Sequence, residues 1–330
     1  MIITRAPVRV SFLGGGTDYP DYFRRHGGQT RGVAIDRYSY ITVNRLARLF
    51  DYSIRISYSR MELVTNIDEI QHPAVRECLR FLGIDGGVEV HYVGDLPART
   101  GLGSSSSFTV ALLHALHAFK GELVSREQLA EEAVLVEHER IRERVGVQDQ
   151  YTCAHGGLVH LQMSHGGRVA VDRVPLRAER LAELQSHLLL LYTRLRRNAH
   201  EVLDEQLDRT RRGDNTRHLG RLADLVTDGI RILTGDVPIE QFGELLDSAW
   251  QIKRELSTKV TNDVVDSCYA TARAAGAIGG KLLGAGGGGF LLLFAPPDRH
   301  GAIATALPNL PRIRVGFDHE GSRILFYQPQ

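Results

Sequence analysis

A run of small residues, Gly101-Leu102-Gly103-Ser104-Ser105-Ser106-Ser107, constrains this chain more than any other feature. It stands between a strand-like segment, Val88 to Val93, and an apolar helical run from Phe108 to Phe119. A glycine loop entering a helix presents the free N–H groups of the first turn, and the helix dipole favours negative charge there. Glycines allow close backbone approach, and serine hydroxyls cap the helix or ligate Mg²⁺. The loop therefore reads either as a phosphate cradle or as a plain serine-rich N-cap. It is not the Walker pattern, because no lysine follows Gly103 where that pattern requires one.

The length of 330 residues predicts two domains with sizeable cores. A net charge of +1 gives no global attraction to nucleic acid or membrane, so a phosphorylated ligand needs a local basic site. The three cysteines, Cys78, Cys153 and Cys268, are widely spaced and show no metal pattern, which fits a reducing cytoplasm. No charged-then-apolar leader opens the chain. The most apolar stretch, Ala274 to Pro297, is interrupted by Lys281 and by glycines, and reads as helix, loop and strand.

Along the first half, strands are predicted at Ile2–Phe12, Val33–Asp36, Tyr38–Leu46 and Ile54–Tyr58. A helix is predicted from His72 to Leu82, ended by Gly83. Another opens at Ser125 as N-cap, with Gln128 at the capping-box position, and runs to about Arg144. After Gln150 a helical stretch leads to strands near Leu158–Met163 and Arg168–Arg173. The second half begins with a buried strand at Leu188–Tyr192. Helices follow near Ala199–Arg212, His218–Leu233, Ile239–Leu256 and Asn262–Ala275. Strands at Phe290–Ala295, Ile313–Phe317 and Ile324–Tyr327 close the chain. The domains expected are 1–178 and 179–330.

Within the Ser125 helix, Glu137 shares a face with Ala130, Ala133, Val134 and Ile141. An inward carboxylate needs a partner or a metal, whereas Glu139 faces elsewhere and is expected to be solvated. On the first strand, alternation puts Arg5, Pro7 and Arg9 on one face.

Two further segments accompany the serine loop: Arg5 to Tyr19, containing Gly14-Gly15-Gly16-Thr17-Asp18, and Lys281 to Phe290, containing Gly284-Ala285-Gly286-Gly287-Gly288-Gly289. In this order and spacing the three resemble the motifs of the GHMP kinases, the superfamily of galactokinase, homoserine kinase, mevalonate kinase and phosphomevalonate kinase. The resemblance runs from about Thr4 to the last strand. The Gly-Gly-Gly-Thr-Asp form, with Gln148-Asp149-Gln150-Tyr151, looks like the branch that phosphorylates heptose 7-phosphate.

The resemblance implies a two-domain α+β kinase using ATP and Mg²⁺. Its N-terminal domain holds a mixed sheet and binds nucleotide; its C-terminal domain is ferredoxin-like and helix-rich. Backbone groups of Gly101, Gly103, Ser104 and Ser106 would bind ATP phosphates, joined by Gly286 and Gly287 of the third motif. Ser105 and Glu137 would hold Mg²⁺. Ser107 reads as a simple cap.

Asp149 matches the aspartate beside the phosphorylated hydroxyl, as base or as orienting group. Arg9 matches the arginine that approaches it. Asp18, with Gly15, Gly16 and Thr17, matches the sugar-binding loop. Galactokinases carry Gly-Glu-His where this chain has Gly14-Gly15-Gly16, and the loss of two side chains makes room for a sugar larger than a hexose. In Thr193-Arg194-Leu195-Arg196-Arg197-Asn198-Ala199, Thr193, Arg197 and Ala199 match the heptose branch and the other three polar positions depart from it. Arg197 and Thr193 are the expected contacts to a sugar phosphate. Lys281 reads equally as added charge or as an exposed residue of the preceding helix.

The acceptor implied is the anomeric hydroxyl of D-glycero-D-manno-heptose 7-phosphate. The alternatives are a free sugar such as fucose, or a non-catalytic regulator that binds sugar and ATP. The partners expected are ATP and a sugar phosphate, with a homodimer as a compatible assembly and neither nucleic acid nor membrane.

Overall fold

The computed structural model describes residues 1–98, 100–195 and 199–328. β1 (Ile2–Leu13) lies beside β2 (Gly28–Arg45), and the pair forms the spine of the first sheet. The two strands expected at Val33–Asp36 and Tyr38–Leu46 are one strand of 18 residues. A register shift opposite Pro7/Val8 absorbs the irregularity between them, so the ladder bends without breaking.

β3 (Ile54–Ser57), β4 (Met61–Val64) and β5 (Val88–Gly94) extend the sheet past the C-terminal half of β2. β6 (Leu158–Met163) pairs with the N-terminal half of β2, and β7 (Val169–Arg173) pairs with β6. The long strand thus belongs to two branches of one sheet. The short helix α1 (Pro20–His26) sits between β1 and β2 in sequence.

One face of this sheet carries α2 (Pro73–Leu82), α3 (Ser104–Lys120), α4 (Arg126–Leu135) and α5 (Gln148–His155). α3 is buried nearly all round, as its continuous apolar run requires. α2 stops at Gly83, which takes the left-handed conformation (φ 65°), and Ser125 Oγ caps α4 by accepting from the Gln128 N–H at 3.1 Å. Gln128 turns to Glu132 instead of closing a capping box.

The helix expected to run on to Arg144 ends as α at Leu135. A π-turn over Val136–Ile141 follows and closes at Arg142 in the left-handed region (φ 62°). Such widened turns shift the phase of side chains within a helix.

The second unit contains α6 (Ala178–Ser186), β8 (Leu188–Tyr192), α7 (Ala199–Arg212), α8 (Thr216–Thr234), α9 (Glu240–Arg254), α10 (Asp263–Ala274), β9 (Gly279–Leu282), β10 (Phe290–Phe294), α11 (His300–Ala306) and β11 (Arg312–Ile313). Its sheet runs β11-β8-β10-β9, all antiparallel. The other face of the first sheet packs against α8 and α9 here. Val8, Val10 and Phe12 share one core with Leu222, Val226, Phe242 and Leu246, and Phe12 meets Phe242 edge-on at 5.5 Å between centroids.

Two expectations change in this half. Of the strand expected at Ile313–Phe317 only Ile313 joins a ladder, together with Arg312 before it, and Phe317 makes a single bridge to Ile35. The last strand, β12 (Arg323–Tyr327), leaves the second unit and pairs with β1. A boundary at 178/179 therefore divides the chain but not the sheet. No described helix is long and apolar enough to cross a membrane.

Candidate active site

The three glycine motifs meet at one end of β1. β1 delivers the Gly14–Asp18 loop, and Gly14 and Gly16 turn it through positive φ (79° and 102°). A Cβ on Gly14 would stand 2.1 Å from the Gln29 carbonyl oxygen, and one on Gly16 would stand 2.9 Å from Leu219 Cδ2. A Cβ on Gly15 would meet nothing nearer than Ser11 Oγ at 3.6 Å. The room expected from the triple glycine is therefore at Gly15; Gly14 and Gly16 are glycine because the fold closes over them.

This contrast gives a direct test. Gly14→Ala should destabilise the protein by about 1–3 kcal/mol, through strain at positive φ and the clash. Gly15→Ala should stay within about 0.5 kcal/mol of wild type in urea melts. Equal costs at both positions would refute the account of the loop.

Thr17 serves the same turn. Its Oγ1 lies 2.8 Å from the carbonyl oxygens of both Gly14 and Gln29. Asp18 is buried, and its Oδ1 accepts from the Gly16 N–H at 2.9 Å while Oδ2 accepts a long bond from the Gln148 N–H at 3.4 Å. Burial, and then the Asp149 charge, raise the Asp18 pKa above the usual carboxylate range. Asp18 thus ties the first loop to the segment that opens α5.

Asp149 stands in the first turn of α5. Arg9 donates to it in a bidentate fork, Nε to Oδ1 and Nη2 to Oδ2, both at 2.7 Å, and Nη1 donates to the Gly101 carbonyl at 2.7 Å. Arg9 is buried, whereas 22% of the Asp149 side chain remains exposed. One arginine so joins the first motif, the phosphate loop and the candidate catalytic carboxylate. Gly103 caps α3 in the left-handed region, and a Cβ there would be 3.1 Å from Asp149 Oδ2.

The third motif closes onto the second. A Cβ on Gly101 would lie 2.6 Å from the Leu283 carbonyl oxygen, and one on Gly289 would lie 2.4 Å from that of Thr100. The Phe290 N–H donates to the Thr100 carbonyl at 3.1 Å. Gly286 and Gly287 turn toward another neighbour: the Gly287 N–H donates to the Val260 carbonyl at 2.7 Å, so that amide is already used. Thr193 Oγ1 donates to the Gly289 carbonyl at 2.8 Å, which makes Thr193 a brace of this loop. Arg197 lies outside the described residues.

At the start of α3 no side chain caps the helix. Ser105 is exposed at this end, and the serine in contact with Glu137 is Ser106, whose Oγ donates to Oε2 at 2.9 Å. Gln150 Nε2 donates to the same oxygen at 2.6 Å. Glu137 Oε1 is buried without a partner, and burial pushes the Glu137 pKa up to about 8. An orphaned carboxylate oxygen beside serine hydroxyls and a phosphate-type loop is the hard-oxygen set that suits Mg²⁺, which usually takes one or two carboxylates plus substrate phosphates. Ser107 is a structural contact, with Oγ donating to the Ala6 carbonyl at 2.8 Å.

The face assignment of Glu137 is met: Ala130 and Ala133 are buried with it, and Glu139 is exposed. Gln150 carries no sequence signal of its own. Lys281 is neither exposed nor helical. It lies in β9, 4% exposed, and its Nζ donates to the Phe12 carbonyl at 2.9 Å. A lone lysine inside an apolar run is the signal that marks it. A cavity of about 720 Å³ behind α5 takes Val147, Tyr151 and His155 from the flank that does not carry Asp149, and no residue of the three glycine motifs lines it.

A nucleotide-type helix N-terminus, two interlocked glycine loops and an arginine-held carboxylate define a small-molecule phosphotransferase. The chain belongs to the GHMP kinases. The model of the GHMP kinase N-terminal domain matches residues 62–157, and that of the C-terminal domain matches residues 238–312.

Among curated relatives, the D-glycero-alpha-D-manno-heptose 7-phosphate kinase of Campylobacter jejuni is 24% identical, with 93% of each chain covered. The galactokinase of Thermotoga maritima is 25% identical, with 95% of each covered. The bifunctional fucokinase/GDP-fucose pyrophosphorylase of Arabidopsis thaliana is 26% identical over 88% of this chain but only 29% of that protein. Among solved structures, a D-glycero-D-manno-heptose 1-phosphate kinase from Bacteriodes thetaiotaomicron shares the fold with a TM-score of 0.81, at 20% identity, covering 99% of this chain and 100% of that one.

Proposed function

We propose that this kinase transfers the γ-phosphoryl group of ATP to the anomeric hydroxyl of D-glycero-D-manno-heptose 7-phosphate, in the cytoplasm. The observation that carries the reading is the Arg9–Asp149 fork at the junction of the glycine loops, with Asp149 the exposed member of the pair. The similarity to heptose phosphate kinases, together with the absence of a clash for a side chain at Gly15, favours a heptose as acceptor.

In this mechanism residues 1–178 hold ATP and the acceptor sugar, and residues 179–330 add the third loop and the Arg197 turn. The N–H groups at the start of α3 take the phosphates. Asp18 fixes the loop against which the sugar lies. Asp149 orients the O1 hydroxyl in line with the γ-phosphorus and accepts its proton as the O1–P bond forms and the bond from phosphorus to the ADP oxygen breaks. Arg9 holds Asp149 in place through its bidentate fork and offsets charge on the transferring group. Glu137 and the neighbouring serines would hold Mg²⁺, which supplies neutralisation of phosphate charge when bound.

Phosphate recognition falls to Arg197 by its match to the branch pattern. A charge-assisted bond of about 1.5–3 kcal/mol corresponds to roughly tenfold to hundredfold in affinity. Arg197→Ala should therefore raise the KM for heptose 7-phosphate by that factor and leave the KM for ATP nearly unchanged.

The deciding experiment incubates the protein with ATP, Mg²⁺ and a panel of free and phosphorylated sugars, and reads product mass. The expected product is the 1,7-bisphosphate, with heptose 7-phosphate strongly preferred over free heptose. Equal use of the two, or preference for fucose or galactose, would establish the second reading, an anomeric kinase for a free sugar. That reading has its own support in the fucokinase and galactokinase relatives at similar identity.

A further inference from the structure

Lys281 connects two motifs whose relative position the reaction depends on. From β9 in the second unit its Nζ reaches across to the Phe12 carbonyl, two residues before the Gly14–Asp18 loop. That carbonyl is its one hydrogen-bond partner among the described residues. The next carbonyls along the same segment, Leu282 and Gly284, are held by Lys253 Nζ from α9 at 3.0 and 2.6 Å. The segment that leads into the third loop is therefore gripped from α9 on one side, and itself grips the first loop on the other.

The charge arithmetic makes Lys281 unusual. Burial, with the nearby Arg9 charge, lowers its pKa to about 7, and Asp18 alone opposes that shift. A buried ammonium resting on one neutral carbonyl costs stability, and an apolar side chain of similar length would fill the same space without that cost. Costly buried charge in a site where charge is transferred is the expected signature of function. The Asp149 charge acts on Asp18, so the two carboxylates repel each other.

We propose that Lys281 is a positioning residue of the transfer reaction. Its hydrogen bond sets the acceptor-binding loop in register with the two phosphate-side loops across the junction of the units. This rests on the sugar kinase reading above only for the identity of the acceptor.

The test compares Lys281→Met with wild type as full-length protein, reading kcat and KM for both substrates, nucleotide affinity and the melting temperature. The expected result is a melting temperature no lower than that of wild type. Nucleotide affinity should stay within about threefold, and kcat/KM for the acceptor should fall at least about tenfold. Unchanged kcat/KM, or a lower melting temperature with normal kinetics per folded molecule, would assign the lysine to stability alone and overturn the proposal. Should the methionine variant not fold, Lys281→Gln is measured in its place by the same criteria; failure of both to fold equally overturns it. If wild type acts on a small alcohol other than a sugar, the same ratios are read with that acceptor, so the two readings fail separately.

Discussion

Asp149→Asn is expected to lower turnover by about two to four orders of magnitude, the usual scale for loss of a positioned acid or base, with nucleotide affinity within about threefold of wild type. Two effects add in this variant. The amide is a poor proton acceptor, and its NH₂ group faces a guanidinium that has nothing to accept with. Arg9, itself buried, then loses one of its two charged bonds and should reorient, which also perturbs its hold on Gly101. Steady-state kinetics with nucleotide titration checks this. Turnover within a few-fold of wild type in a folded variant would remove Asp149 from the mechanism.

Glu137→Gln carries the second large effect, and it should move activity and stability in opposite directions. One oxygen is held by Ser106 and Gln150 and the other is unpartnered, which suits the proposed role of Glu137 as a Mg²⁺ ligand. A neutral amide should cost about a hundredfold or more in turnover at fixed Mg²⁺, on the scale of a metal's several kcal/mol of charge stabilisation. It should also raise the Mg²⁺ needed for half-maximal rate.

Without metal, the same variant should melt higher than wild type near neutral pH, because wild type must take up a proton to bury Glu137 and the amide need not. The pH dependence follows with a definite sign. The folded protein keeps the Glu137 proton to about pH 8, whereas the unfolded chain releases it near the ordinary carboxyl value of 4.5. Between those values the folded state binds more protons, so stability falls as pH rises. Melting curves of the metal-free enzyme across that interval should show this slope, and Glu137→Gln should flatten it. Glu139→Gln, on an exposed neighbour, should change neither property; damage there instead would mean that the π-turn places the two glutamates otherwise.

Features governed by local chemistry and by order along the chain were legible in the residues alone. The apolar run after Ser104 could only be a buried helix. Gly83 and Ser125 ended and opened helices where backbone conformation and capping demand. The order of three glycine motifs specified the family. The inward face of Glu137 followed from helical spacing alone, even though the helix widens into a π-turn at that residue.

The tertiary structure decided which of several equivalent residues makes each contact, because neighbours in a motif differ in direction and not in kind. Among four serines, Ser106 meets Glu137 while Ser105 looks outward and Ser107 braces β1. Among three glycines, Gly15 alone would accept a Cβ at ordinary contact distance. Lys281 could not be placed from its spacing, since a lysine before a glycine loop suits a helix surface as well as a strand. Only the packing of β9 against the end of β1 buries it on the Phe12 carbonyl. The last strand shows the same limit: its sequence specifies a strand, but pairing partners lie more than 300 residues away in β1, and hydrogen bonds across that separation are chosen by the assembled sheet.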